Sequence, residues 1–184
     1  TSIVEAFWKL VGEGDLLPNL LTTLIEIAIS FVLSVVLGIA SALVLDRSDW
    51  LNRILSPFLT AFNSMPRIAL GPLFILWFGI GMASKVVLAV SLGYFIMLLS
   101  TLGGLKNVDR DLLLMSRLFG ASELRLFRDV RLPWALPSIF AGLRLTLIYC
   151  SAGAVIGEMI AAQSGLGLLV QSFSGRFDVA SVMA

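Results

Sequence analysis

Residues 106–133 read KNVDRDLLLMSRLFGASELRLFRDVRLP, and this stretch governs how the rest of the chain is read. It carries Lys106, Arg110, Arg117, Arg125, Arg128 and Arg131, too many charges to sit in lipid. Its apolar residues nevertheless keep helical spacing: Leu112, Met115 and Phe119 form one set, Leu124, Phe127 and Val130 another. Gly120 separates the sets and suits a helix C-cap that needs a left-handed backbone. After Ala121, Ser122 is placed to cap a second helix, with Glu123 at its positive end. Leu132-Pro133 is expected to end that helix, and Trp134 and Pro137 mark the return to the membrane. The pattern is a helix–turn–helix with apolar knobs and basic flanks. It fits a docking element of the helix-in-groove kind, or an amphipathic connector lying on a bilayer, and periodicity alone leaves both open.

On either side the chain is strongly apolar. Of 184 residues, 58% are hydrophobic and 14% charged, with a mean hydropathy of +0.98. Soluble domains average about half apolar and about a quarter charged. Four runs approach the roughly 20 apolar residues that a bilayer crossing requires: about 20–45, 57–78, 86–105 and 138–162. Separate segments can cross lipid only as helices, since each must satisfy its own backbone. The expected fold is therefore an all-α membrane protein, a polytopic bundle forming one domain over 1–184. Basic residues orient it. The loop at 46–56 carries Arg47 and Arg53 and the 106–133 segment six more, against Lys9, Lys85 and Arg176 opposite. The richer side is expected to be cytoplasmic, leaving 1–19 and 163–184 outside.

Two ladders of small residues, Ser30, Ser34, Gly38, Ala42 and Gly153, Gly157, Ala161, recur every four positions and predict close helix packing. Residues 5–15 read as a short interfacial helix broken by Gly12 and Gly14. Four charges fall in or near spans. Glu26 and Arg144 are expected near the two membrane surfaces. Arg67, beside Met65 and Pro66, is a candidate for a translocation path through a broken helix, and Glu158 for pairing with Arg67 or forming part of a gate. SGLG at 164–167 followed by LLVQSFSGRFD reads as an outer loop and short helix.

The exclusions are broad. There is no His, so Ser-His, Cys-His and most zinc or haem chemistry is absent, and the single Cys150 forms no disulfide within the chain. A net charge of +1 without a basic run argues against nucleic acid. No paired acids suggest an intramembrane enzyme, and no internal repeat suggests a secondary transporter. G-x4-G-K-[ST] does not occur, so ATP phosphates are not cradled here by a P-loop.

The 106–133 segment resembles the coupling loop of ATP-binding-cassette importer permeases: E-A-A, three residues, Gly, nine residues, Ile, one residue, Leu-Pro. Gly120, Val130, Leu132 and Pro133 fall at the required positions, and GASELRLFRDVRLPWALP is similar to the form in permeases for nitrate, sulfonates, taurine and bicarbonate. Leu114, Met115 and Ser116 occupy the E-A-A positions, so the signature acid is missing; Asp111, one turn earlier, is the candidate substitute. PRIALGPLFILWFGIG at 66–81, GLRLTL at 142–147 and GEMIAAQSGLGLLV at 157–170 extend the resemblance over nearly the whole chain.

The resemblance implies a bundle like that of the type I importers, a bacterial inner-membrane location, and further helices beyond both ends. It implies a non-catalytic permease subunit, most often paired with a second copy. Its partners would be cytoplasmic ATPases that bind ATP and Mg, an external binding protein that delivers substrate, and the surrounding lipid. Asp111, Leu112, Met115, Phe119, Gly120, Ala121, Ser122, Leu124, Phe127, Leu132 and Pro133 would form the ATPase-coupling loop. The substrate would be a small oxyanion, or else an aromatic or heterocyclic nutrient. A secondary transporter or a non-transporting scaffold is the alternative of another class.

Overall fold

The computed structural model describes residues 8, 11, 16–161, 163–177 and 179–183, and among these every regular element is helical. The interfacial helix expected at 5–15 falls outside the continuous described stretches. In order, the helices are α1 (Leu16–Arg47), α2 (Asp49–Ser64), a 3-10 turn (Arg67–Leu70), α3 (Gly71–Phe78), α4 (Met82–Lys106), α5 (Arg110–Leu118), α6 (Leu132–Ala161), α7 (Leu166–Gly175) and α8 (Val179–Met183). A helical turn at Glu123–Arg125 and a π turn at Leu126–Arg131 lead into α6.

Among the described residues, three stretches are by length and composition sufficient to cross a membrane: α1, α4 and the continuous helix Glu123–Ile160. α1 explains why. Its buried face carries Thr23, Glu26, Ser30, Ser34, Gly38, Ala42 and Leu45, while Leu21, Leu24, Val32, Val36, Leu37 and Val44 face outward. Small and polar side chains point in and large apolar ones point out, the reverse of a water-soluble helix. In lipid, large apolar groups gain little by hiding, whereas small ones let backbones approach.

Three expectations about element boundaries are corrected. The loop expected at 46–56 is reduced to Ser48, because Ser48 ends α1 and caps α2, its hydroxyl accepting the Leu51 amide at 3.3 Å. The run at 57–78 is not one helix. α2 starts eight residues earlier than that run and stops where Met65 goes extended (φ −70°, ψ 139°) ahead of Pro66, as the residue before a proline tends to do. Only taken together do α2 and Arg67–Phe78 reach spanning length. Finally, Leu132-Pro133 does not end a helix. The Leu132 amide reaches back to the Phe127 carbonyl, a bond over five residues, and this wider turn gives Pro133 room inside a continuing helix.

The chain divides into two compact units. The first comprises residues 1–32, 66–92 and 148–184. In it α4 and α6 approach closely: a Cβ on Gly153 would stand 2.7 Å from the Ala89 Cα, and one on Gly157 3.3 Å from the Lys85 Cα. The helix backbone is described through Ala161, but the side chain of Ala161 lies outside the described residues. The second unit comprises residues 33–65 and 93–147. Its core is Ala42, Leu45, Leu98 and Leu102, with Leu51, Leu59 and Tyr94 packed against it. Here too small residues set the spacing. A Cβ on Gly38 would stand 2.8 Å from the Met97 Cβ, and one on Gly142 2.6 Å from the Ser100 Cβ. The Tyr94 hydroxyl donates to Ser41 Oγ at 3.0 Å, tying α4 to α1.

Candidate functional site

In the second unit, residues 109–131 form a helical hairpin whose ends are each closed by their own sequence. The Asp109 carboxylate accepts the Asp111 amide at 2.8 Å and starts α5 with negative charge at its positive end. At the other end the Gly120 amide donates to the Arg117 carbonyl at 2.9 Å and the Ala121 amide to the Ser116 carbonyl at 3.1 Å. These paired bonds close a helix around one left-handed residue, and Gly120 supplies it at φ +79°. Ser122 Oγ then accepts the Arg125 amide at 3.5 Å and opens the returning turn. Arg117 and Glu123 meet at 3.1 Å across the bend, an exposed pair that adds little.

The base of the hairpin is held more firmly. Arg131 Nη2 donates to Asp46 Oδ1 at 2.5 Å and to the Leu105 carbonyl at 3.2 Å, joining the π turn to the ends of α1 and α4. The Asp46 side chain is 4% exposed, so removing Arg131 strands a largely buried carboxylate. Such a loss costs about 3–5 kcal/mol.

The tip, by contrast, is apolar and bare. Leu118, Phe119 and Leu124 are 86%, 85% and 75% exposed. Of the expected docking residues, Leu112, Met115, Phe119 and Leu124 are exposed, whereas Phe127 is half-buried. Asp111, Gly120 and Ser122 are exposed and Ala121 is half-buried. Leu132 and Pro133 lie within the continuing helix. Sequence reading missed Leu114 and Leu118, a second exposed stripe four residues apart on α5. It read Leu124, Phe127 and Val130 as one helically spaced apolar set on the returning segment. The buried residue there is Leu126, outside that set, and the π turn shifts the register that uniform helical spacing assumes. Beside the hairpin lies a groove of about 710 Å3, lined by Leu43, Val44, Asp46, Leu124, Phe127 and Arg131 among others.

The four residues expected along a path do not form one set. Met65 is half-exposed at the end of α2. Pro66 precedes the 3-10 turn. Arg67 is buried, and its Nη1 donates to the Ser91 carbonyl at 2.8 Å and the Leu92 carbonyl at 3.4 Å, bracing the break against α4. Glu158 has other partners: Oε1 accepts the Thr23 hydroxyl at 2.7 Å, and Oε2 accepts the Gly167 amide at 2.8 Å.

Around Glu158 the first unit assembles a buried polar cluster that the sequence reading did not foresee. The Gly165 amide donates to Asn19 Oδ1 at 2.6 Å and the Leu166 amide to Thr23 Oγ1 at 2.9 Å. Three successive amides at the start of α7, which no helical carbonyl can serve, are thus taken up by side chains from α1 and α6. Gly165, at φ +119°, leaves no room for a Cβ, which would collide with the Glu158 carboxylate. Lys85 donates to the Ser164 carbonyl at 3.3 Å and forms an ion pair with Glu26. Glu26, expected near a membrane surface, is fully buried within this unit, and Lys85, in the first turn of α4, is buried with it. The signal was present in α1. Thr23 and Glu26 continue the Ser30–Ser34 ladder by further turns on the same face.

Comparison with known proteins places these features in context. The family described as "Binding-protein-dependent transport system inner membrane component" matches residues 34–184. A probable ABC transporter permease protein of Haemophilus influenzae is 39% identical over 85% of this chain and 64% of its own length. The riboflavin transport system permease protein RibX of Chloroflexus aurantiacus is 36% identical, over 96% of this chain and 66% of its own. The aliphatic sulfonates transport permease protein SsuC of Escherichia coli, a putative assignment by its own name, is 36% identical over 92% and 65%. The chain therefore spans somewhat less than two thirds of the length of these relatives. Among solved structures, a chain of the inward-facing MetNI methionine ABC transporter superposes with a TM-score of 0.77 at 23% identity, covering 93% of this chain and 85% of that one. That likeness is one of fold.

Proposed function

The chain belongs to the family of binding-protein-dependent transport system inner membrane components, and from that membership we propose that it is the membrane-spanning permease subunit of an ATP-driven importer, coupled to separate ATPases through the 109–131 hairpin. The observation that carries this reading is the contrast along the hairpin. Its base is pinned by Arg131 to Asp46 and the Leu105 carbonyl, while its tip presents Leu118, Phe119 and Leu124 to an absent surface. A pinned base transmits force to the helices that hold it, and a bare apolar tip is what a groove on another protein takes up.

The full assembly in this reading is two permease copies, two cytoplasmic ATPases and an external binding protein, with four membrane crossings in this chain: α1, α2 with α3, α4 and α6. The hairpin lies on the cytoplasmic side and α7 on the outer side. The chain's own part is non-catalytic, and ATP and Mg belong to the ATPase subunits.

The substrate is a small solute delivered by the binding protein. The oxyanion expectation leaned on Arg67, whose guanidinium is engaged by the Ser91 and Leu92 carbonyls. The named relatives include permeases for both classes, riboflavin and aliphatic sulfonates, at equal identity. Small organic solutes of either class are thus the substrates to test. The experiment is reconstitution of the permease with its ATPase in proteoliposomes. ATP hydrolysis should rise when loaded binding protein is added and should fall to the unstimulated rate when Leu118 and Phe119 are changed to Ser. Hydrolysis that is indifferent to the binding protein would overturn the proposal.

A further inference from the structure

We infer that the polar face of α2 lines the water-filled route by which a small hydrogen-bonding solute crosses this protein. The inference rests on the permease reading above and adds the residues that meet the solute on its way.

Successive helix residues are turned by about 100°. On that count every polar side chain of α2, from Asp49 to Ser64, falls on about one third of the helix circumference. Asp49, Arg53, Ser56, Thr60 and Asn63 follow one another at alternating steps of four and three residues along this face. The rest of the circumference carries apolar residues alone. It is shared out: Leu51 and Leu59 pack against the core of the second unit, while Trp50, Ile54 and Phe58 are exposed in the manner of lipid-facing residues. The polar face stays open. α2 has no buried residue, and Arg53, Ser56, Thr60, Asn63 and Ser64 are all exposed. The Thr60 and Ser64 hydroxyls donate to carbonyls of their own helix, at Ser56 and Thr60, each at 2.9 Å. Where the face begins, Asp49, Asn52, Arg53 and Ser56 border a hollow of about 500 Å3.

Hydrocarbon is a poor neighbour for this row, since it offers no hydrogen bonds. A helix pressed onto it is disfavoured by the residues present. Close approaches in this protein fall at Gly38, Gly142, Gly153 and Gly157. α2 has no glycine, its single alanine, Ala61, lies on the apolar side, and Asn52 and Arg53 stand on the polar one. A helix lying flat on the bilayer would also wet one face. α2 instead packs inward: Leu59, about two turns on from Leu51, still packs against the core that contains Leu98, and Leu98 is about two turns inside the Lys106 end of α4. Water held inside the protein is the setting that satisfies the row. The chemistry of the face then names the solute. Beyond Arg53 it offers the hydroxyls of Ser56 and Thr60 and the carboxamide of Asn63, which both donate and accept, and no charge. Such a wall holds its cargo by hydrogen bonds and does not select the sign of its charge. Asp49 and Arg53, opposite in sign, stand at the end next to Arg47, the cytoplasmic mouth in this reading.

The test is thiol labelling of the permease–ATPase complex in lipid nanodiscs, with Ser56→Cys, Thr60→Cys and Asn63→Cys introduced singly. The native thiol, Cys150, is fully buried, so the unmodified chain gives the baseline. The three cysteines should react at comparable rates with a small anionic and a small cationic methanethiosulfonate. Each should react about tenfold or more faster than Phe58→Cys, because lipid opposes a charged reagent. None should react with a maleimide carried on a long polyethylene glycol chain, which Phe177→Cys, at a position 90% exposed, calibrates. Reaction with the bulky reagent as well would put α2 on the membrane surface, and reaction with no reagent would put another helix against the face. Either result overturns the inference, as does labelling of Phe58→Cys at the same rate. A strong preference for one sign of small reagent overturns the solute class. Ser56→Cys and Thr60→Cys decide alone if Asn63→Cys does not assemble. The readout involves neither transport nor ATP hydrolysis, so its failure is distinct from failure of the stimulated hydrolysis expected above.

Discussion

Replacing Gly120 tests whether the hairpin's geometry, rather than merely its composition, does the coupling. No atom lies within 4 Å of where a Cβ at Gly120 would stand, so a larger side chain meets no obstacle. The backbone is the whole cost. At φ +79° an L-residue sits in the left-handed region, at about 1–2 kcal/mol. A β-branched residue falls at the upper end of that range, whereas Asn tolerates the region better. The expected order of turn stability is therefore Gly, Asn, Ala, Val. A loss of 1–2 kcal/mol lowers the closed-to-open ratio roughly 5–30-fold. If the ATPase binds only the closed hairpin, its dissociation constant should rise in Gly120→Val by up to that factor. The assay is titration of the ATPase subunit onto nanodisc-embedded permease. Gly103 supplies the control. A Cβ there also meets open space, but its backbone is helical, so Gly103→Ala should leave binding unchanged and add about 0.5–1 kcal/mol of stability. Wild-type affinity in Gly120→Val, or equal damage from Asn and Val, would refute the reasoning.

Three further outcomes are expected. Leu118→Ser with Phe119→Ser should abolish co-purification of the ATPase while leaving the thermal midpoint of the permease unchanged, since both side chains are almost wholly exposed. Arg131→Met should lower stability by about 3–5 kcal/mol by stranding Asp46, and Arg131→Met combined with Asp46→Ala should recover most of that loss, read by thermal unfolding in detergent. Gly153→Val should destabilise by about 1–3 kcal/mol, because its Cβ would press on the Ala89 backbone at 2.7 Å, and should slow or prevent assembly as judged by size-exclusion profile.

Much of this architecture could be read from local pattern. The Gly120 turn and the Ser122 cap follow from short-range rules, and both occur where the spacing placed them. What was not legible depended on partners far away in the chain. Nothing near Glu26 announces Lys85, 59 positions on, and nothing near Glu158 announces Thr23, 135 positions back. A charge in an apolar run therefore reads as an interfacial ion, where an unpaired charge is cheapest, because its buried counterion is far away in the sequence. The π turn was illegible for another reason. Leu126 through Arg131 have ordinary helical composition, and only the accommodation of Pro133 requires the extra residue per turn.

The capture of the Gly165, Leu166 and Gly167 amides has a consequence for biogenesis. Their acceptors Asn19 and Thr23 emerge from the ribosome more than 140 residues earlier. α7 therefore completes its cap only once α1, made long before it, stands in place to receive it. Amide protection at 165–167 would report, in a pulse-labelled translation, the moment at which these distant segments first meet.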